Sequence, residues 1–176
     1  GPIRLTVWPA GRPELALRRG TANAGGREQN LRRLPNDANQ GTLVSELIAR
    51  MGPAGGINDI DPESKRGIAL IGAQNENGQW QFRKTDAAGW TNIPPLDVEH
   101  ALLLGADPTT RIRFVPKPNY FGGAGIKFVA WDQTQGNAGL IVNASVRGGT
   151  TPFSQSEEYG LIQVAPVNDA PLLNPA

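Results

Sequence analysis

Apolar alternation in this sequence comes in short bursts, and each burst stops at a turn former. The runs "GIALIGAQ", "QWQFRK", "WTNI", "RIRFV", "IKFVAW" and "GLIQVAPV" have strand length and are bounded by Gly, Pro, Asn or Asp. With 22 glycines and 15 prolines in 176 residues, the chain is supplied for many reversals. About seven short strands at turn-marked spacings predict an all-β domain, a β-sandwich. Asn77-Gly78, between the first two runs, predicts a hairpin, because that pair tolerates the positive φ of a tight primed turn. "TDAAG" makes a second turn into "WTNI", and "PKPNYFGGAG" joins "RIRFV" to "IKFVAW". Trp80, Trp90, Trp131, Phe114 and Phe128 are expected in the core. "TLVSELIARM" (42–51) fits two structures. Leu43, Leu47 and Ile48 could line a helix face, while "TLVSELI" could be a strand.

Residues 1–35 differ from the rest. Arg4, Arg12, Arg18, Arg19, Arg27, Arg32 and Arg33 stand there against Glu14 and Glu28, a balance of +5, while residues 36–176 balance at −4. The alternation of Ile3, Leu5 and Val7, then of Leu15 and Leu17, predicts an edge hairpin. Pro9 and Pro13 exclude it from a sheet interior, and a polar, glycine-rich loop follows. No aromatic interleaving or folded reading motif accompanies the arginines, so the segment reads as a solvated arm and nucleic acid is not an expected partner. No run reaches the ~18–20 apolar residues that cross a bilayer, so no membrane association is expected. Cysteine is absent, which excludes disulfides and thiol chemistry.

The acids gather at turns. "INDIDPES" carries Asp59 and Asp61 one residue apart, "AWDQTQG" places Asp132 just after a strand, and "PVNDAP" places Asn168 and Asp169 just after the last one. A calcium ion takes six to eight oxygens from carboxylates, amides and carbonyls. A D-x-D in an extended loop turns both carboxylates to one side, since side chains alternate with period two. Each motif alone fits an ordinary turn equally well, because Asp and Asn side chains hydrogen-bond locally.

In order, these pieces resemble the cadherin repeat, and more closely the bacterial cadherin-like repeats of large secreted (RTX-type) adhesins. The resemblance rests on "DID", "GIALIG", "NGQWQF", "WTNI", "ALLLGAD", "TTRIRFVP", "NYFGG", "AWDQTQG", "GGTTPFS" and "LIQVAPVNDAP", and it runs from about residue 36 to 173. It implies a Greek-key sandwich of cadherin/immunoglobulin type over 36–173, with 1–35 an arginine-rich extra segment and 174–176 a linker. It also implies calcium as the cofactor. Asp59, Asp61 and Asp132 would face the preceding module, while Asn168 and Asp169 would complete a cage with the next. The prolines around Asn168-Asp169 fix φ and remove donors, so the segment cannot pair as another strand. The family's L-D-R-E motif is missing, and Asp37, in "PNDANQG", is the candidate for the early acid.

A lone histidine, His100 in "DVEHALLL", reads as a surface or boundary residue. Asp97 and Glu99 read as loop acids in preference to a general acid–base pair. No nucleophile set and no phosphate-cradling loop can be assembled, so no enzyme is expected. The resemblance implies an extracellular or surface-bound spacer, partnered by neighbouring repeats of the same chain and monomeric in isolation. The long, mostly polar stretch from Asp132 to Glu158, with "LIVNASV" inside it, supports an alternative: a glycan- or protein-binding module that uses this loop.

Overall fold

A computed structural model describes residues 3–7 (backbone only), 39–50 and 65–166. Ten strands and one helix are found there. They are β1 (Ile3–Val7), β2 (Thr42–Leu43), α1 (Val44–Ala49), β3 (Gly67–Ala73), β4 (Gly78–Arg83), β5 (Thr91–Asn92), β6 (Ala101–Gly105), β7 (Arg111–Pro116), β8 (Gly122–Trp131), β9 (Ile141–Val142) and β10 (Phe153–Val164). Sheet A has the order β1-β10-β8-β3-β6-β9 and sheet B the order β2-β7-β4-β5. All pairings are antiparallel except β1 with β10, which is parallel. β2-β7-β4 and β3-β8-β10 reproduce the B-E-D and C-F-G strand orders of an immunoglobulin-type sandwich, in the same chain order. The all-β sandwich expected from the sequence is present. β5 is the expected "WTNI", and β6 and β9 raise the strand count above seven.

Sheet B reads cleanly from alternation. Trp80 and Phe82 on β4, and Ile112 and Phe114 on β7, point into the sandwich, where they meet Ile68, Leu70, Leu102, Leu104, Ile126 and Phe128 of sheet A. Trp80 and Phe114 pack with ring centroids 5.3 Å apart. The ambiguous segment 42–51 is both of its readings in turn: two residues of strand, then a short helix. Val44, Leu47 and Ile48 form its buried i, i+3, i+4 face, with Val44 in place of the expected Leu43. No side chain caps this helix. The Val44 N–H donates instead to the Thr110 carbonyl at 3.0 Å.

The expected Asn77-Gly78 hairpin is corrected. β3 and β4 lie in different sheets, and the connection crosses between them. Neither Asn77 nor Gly78 has positive φ. The Asn75 side chain organises the crossing by accepting from the Trp80 N–H at 2.7 Å and donating to the Ile93 carbonyl at 3.2 Å. Gly78 is needed for space, since a Cβ there would run into the Phe114 ring.

Sheet A is apolar on both faces. Every residue of β6 is buried, as are the first five of β3. The outward face carries Ala69, Ile71, Ala101, Leu103, Val129 and Trp131, and these pack under Ala144, Val142 and Ala138 of the stretch that follows β8. That stretch is sewn down by Leu103 N–H to the Leu140 carbonyl at 3.0 Å, Gly139 N–H to the Leu103 carbonyl at 2.7 Å and Ala144 N–H to the Val98 carbonyl at 2.7 Å. Gly136, at φ +81°, lets the backbone lie against Leu103. The loop between β8 and β10 spans 132–152, because β10 begins at Phe153. The expected reach to Glu158 is corrected accordingly.

Candidate functional site

β8 and β10 set the poles of the sandwich. Trp131 pairs with Phe153 at one end, and Gly122 pairs with Val164 at the other. Ten residues of β8 at ~3.3 Å each separate the two ends by about 30 Å.

Asp132 stands at the first pole, anchored by buried Trp131, whose indole N–H donates to the Gln135 carbonyl at 2.8 Å. The Asp132 N–H donates to the Pro152 carbonyl at 3.1 Å. Its Oδ1 accepts from the Thr134 N–H at 2.8 Å and from the Thr134 hydroxyl at 2.7 Å, a closed local turn. Gln133 takes a left-handed backbone (φ 62°) and donates from Nε2 to the Arg66 carbonyl at 2.5 Å, which ties this turn to the start of β3.

The same pole carries Asp107, which the sequence reading did not single out. Its Oδ1 accepts from the N–H groups of Thr109 (2.8 Å) and Thr110 (2.6 Å) and from the Thr109 hydroxyl (3.0 Å). Its Oδ2 accepts from the hydroxyl of buried Thr110 at 2.5 Å. Desolvation works to raise its pKa, but these bonds outweigh that and hold the carboxyl below its ordinary range. The spacing D-x-T-T was the available signal.

Of the expected calcium ligands, only Asp132 falls within the described structure. Asp37, Asp59, Asp61, Asn168 and Asp169 lie outside the described residues. Lys65 and Arg66, the first described residues after Asp59 and Asp61, lie on the pole of Asp132, since Gly67 pairs with Trp131. Pro166, the last described residue before Asn168 and Asp169, lies beyond the opposite pole. Among the described residues no group of three or more Asp, Glu, His or Cys could hold a metal ion. One carboxylate with an oxygen already bonded to Thr134 falls far short of six oxygens, so the described residues alone do not form a calcium site.

Asp97 and His100 form an exposed pair at 2.9 Å. Asp97 also accepts from the backbone N–H groups of Glu99 and His100, both at 2.8 Å. The His100 side-chain bond leads in holding the Asp97 carboxyl below its ordinary value. On the outer face of sheet A, Glu157 sits between Lys127 and Arg147, with the Arg147 contact at 2.8 Å. Hydrogen bonds from Lys127 and then Arg147 lower the Glu157 pKa, and the Glu157 bond raises that of Lys127.

Trp90 corrects an expectation. It is half-buried on the outer face of sheet B, where the guanidiniums of Arg113 and Arg83 lie 4.0 and 4.9 Å from its ring centre. Arg83, Arg111 and Arg113 all project from that face, opposite the buried Phe82, Ile112 and Phe114. The alternation of "QWQFR" and "RIRFV" already placed these arginines on one surface, so the signal was readable.

The loop 132–152 supplied the alternative site, yet its Ala138, Val142 and Ala144 are occupied in covering sheet A. Leu140, Ile141 and Val146 remain exposed on its outside. Comparison of the chain with protein-family models, with curated proteins and with solved structures yields no match.

Proposed function

We propose that this domain is a structural spacer: one cadherin-like bead in a tandem array on a bacterial surface or secreted adhesin, sharing calcium ions with neighbouring beads end to end. One observation supports this above the others. Asp132 stands at one pole, and the chain departs toward Asn168 and Asp169 from the other, about 30 Å away along β8. Ligands for a shared ion belong at opposite poles in a linear array, and on one pole in a self-contained site. The immunoglobulin-type strand order supports the same reading. So does the long loop, which lies flat over sheet A as a cover. On this account the module is not an enzyme. A single bead holds half of each cage and binds calcium weakly, toward ~10⁻⁴–10⁻³ M.

The test is a two-copy chain, joined through its own residues 167–173, melted with and without calcium. At about 100 times the dissociation constant, linkage predicts roughly 2.7 kcal/mol of stabilisation. Asp132→Asn in the second copy should remove that shift, and the same change in the first copy should leave it in place. No shift in the two-copy chain at ~10 mM calcium, or equal effects of the two placements, would remove the shared-ion reading.

A further inference from the structure

The outer face of sheet B carries an arrangement that stability alone does not favour. Arg83 and Arg111 are direct cross-strand partners on β4 and β7. Like charges placed opposite each other destabilise a sheet. Both side chains are mostly covered, at 12% and 25% exposure. Asp86 serves both, 3.0 Å from Arg83 Nη2 and 3.9 Å from Arg111 Nε, and is itself 66% exposed. Among the described residues, the Nε of Arg83 and the Nε of Arg111 have no hydrogen-bond partner. Two guanidinium groups thus stand side by side under one exposed carboxylate, each with a covered Nε that has no hydrogen-bond partner, while Arg83 Nη2 also reaches Gln40 Oε1 at 3.3 Å and Arg111 Nη1 the Gly41 carbonyl at 3.4 Å. Trp90 stacks on Arg83 and on Arg113, which fixes the planes of those two groups.

We propose that this face is a binding site for an anionic saccharide, whose carboxylate or sulfate displaces Asp86 and bridges Arg83 and Arg111. An oxyanion with two or three equivalent oxygens meets a guanidinium fork bidentately, and a single aspartate reaching from the next turn does not satisfy two forks at once. The surroundings select a sugar over a peptide. Gln81 and Asn92 pair at 2.8 Å on the exposed strand beside the arginines, and such amides both donate to and accept from hydroxyl groups. Among the described residues, the large exposed apolar side chains, Phe121, Leu140, Ile141, Val146 and Tyr159, all lie outside β4, β5 and β7, and the half-buried Trp90 ring on this face is already covered by Arg113 and Arg83, which disfavours a peptide's apolar anchor. The site lies at the Asp107 end of sheet B, where the Lys84 carbonyl accepts from the Thr109 hydroxyl and the Lys84 ammonium reaches the Ala138 carbonyl of the loop 132–152, but it uses neither Asp107 nor Asp132.

The experiment is titration calorimetry on the full chain with five probes: oligo-alginate (carboxylate only), a dextran sulfate oligomer (sulfate only), neutral dextran, poly-glutamate and oligo-thymidylate. Binding of either acidic sugar with silence from dextran is expected, and the two acidic arms separate carboxylate from sulfate. Arg111→Lys keeps the charge and removes the fork, and it should weaken binding about tenfold. Asp86→Asn should tighten it about threefold. Glu76→Gln removes an equal charge beyond the far end of β4 and should change binding by less than about twofold. Thermal melts confirm that each variant is folded. Four results would overturn the proposal: no acidic sugar bound at millimolar concentration, dextran bound equally well, poly-glutamate or oligo-thymidylate bound as tightly as the sugars, or equal effects of the Asp86 and Glu76 changes.

Discussion

Asp107 closes the β6–β7 turn by accepting from two backbone N–H groups and two hydroxyls, one of them on fully buried Thr110. Replacing it with alanine strands those donors, and Asp107→Ala should destabilise by about 1–3 kcal/mol in urea unfolding. Its depressed pKa sets the sign of a pH effect. The contribution is fully present above the unfolded value near 3.8 and is lost as pH falls through the lower folded value. Asp107→Asn should therefore flatten the acid limb of the stability curve below about pH 4 while leaving the neutral plateau less affected than alanine does. Gly78 gives a second residue-level test. Gly78→Ala should destabilise by about 1–3 kcal/mol through collision with Phe114, and exposed Asn77→Ala should stay within about 0.5 kcal/mol. Equal effects would mean that the turn's backbone conformation, and not the neighbouring ring, selects the glycine. Legibility at this scale was uneven. Phe114 and Trp80 could be placed in the core because alternation fixed their face. Trp90 could not, because it precedes the two-residue strand β5 and no alternation reaches it.

Strands are visible in a sequence when only one of their faces is buried. β4 and β7 alternate, and the outline of sheet B follows from that. β6 is buried on both faces, so "ALLLG" shows no period and was not among the strands expected from alternation. Alternation also says nothing of partners, which is why β3 and β4 read as a hairpin although they occupy separate sheets. The loop 132–152 presents the same difficulty. Its polar residues suggested an exposed binding loop, while its few apolar ones roof a second cluster. Leu103 under that roof and Leu104 in the central core are adjacent and both fully buried. Leu103→Ala and Leu104→Ala should each lower stability by about 2–5 kcal/mol. A Leu103 change that is nearly silent in urea unfolding would show the roof to be loose packing and would reopen the loop to other uses.

At the scale of the molecule, the sandwich class was legible because turn signals recur at strand-length intervals, a property that survives errors in individual pairings. The candidate calcium ligands were legible as motifs but not as a constellation. Among the expected ligands, Asp132 alone falls in the described structure, and on the proposed reading each cage joins the poles of two beads, which one bead does not contain. The parallel pairing of β1 with β10 has a mechanical meaning. Ile3 lies against Gly160 and Val7 against Val164, so tension applied at the start of β1 and the end of β10 pulls the strands along their length in opposite directions. The ladder between them is then sheared as a block and cannot be peeled one bond at a time. A pulled domain should resist to a high, single rupture force, and a proline at Leu5, at the centre of the β1–β10 register, should lower that force.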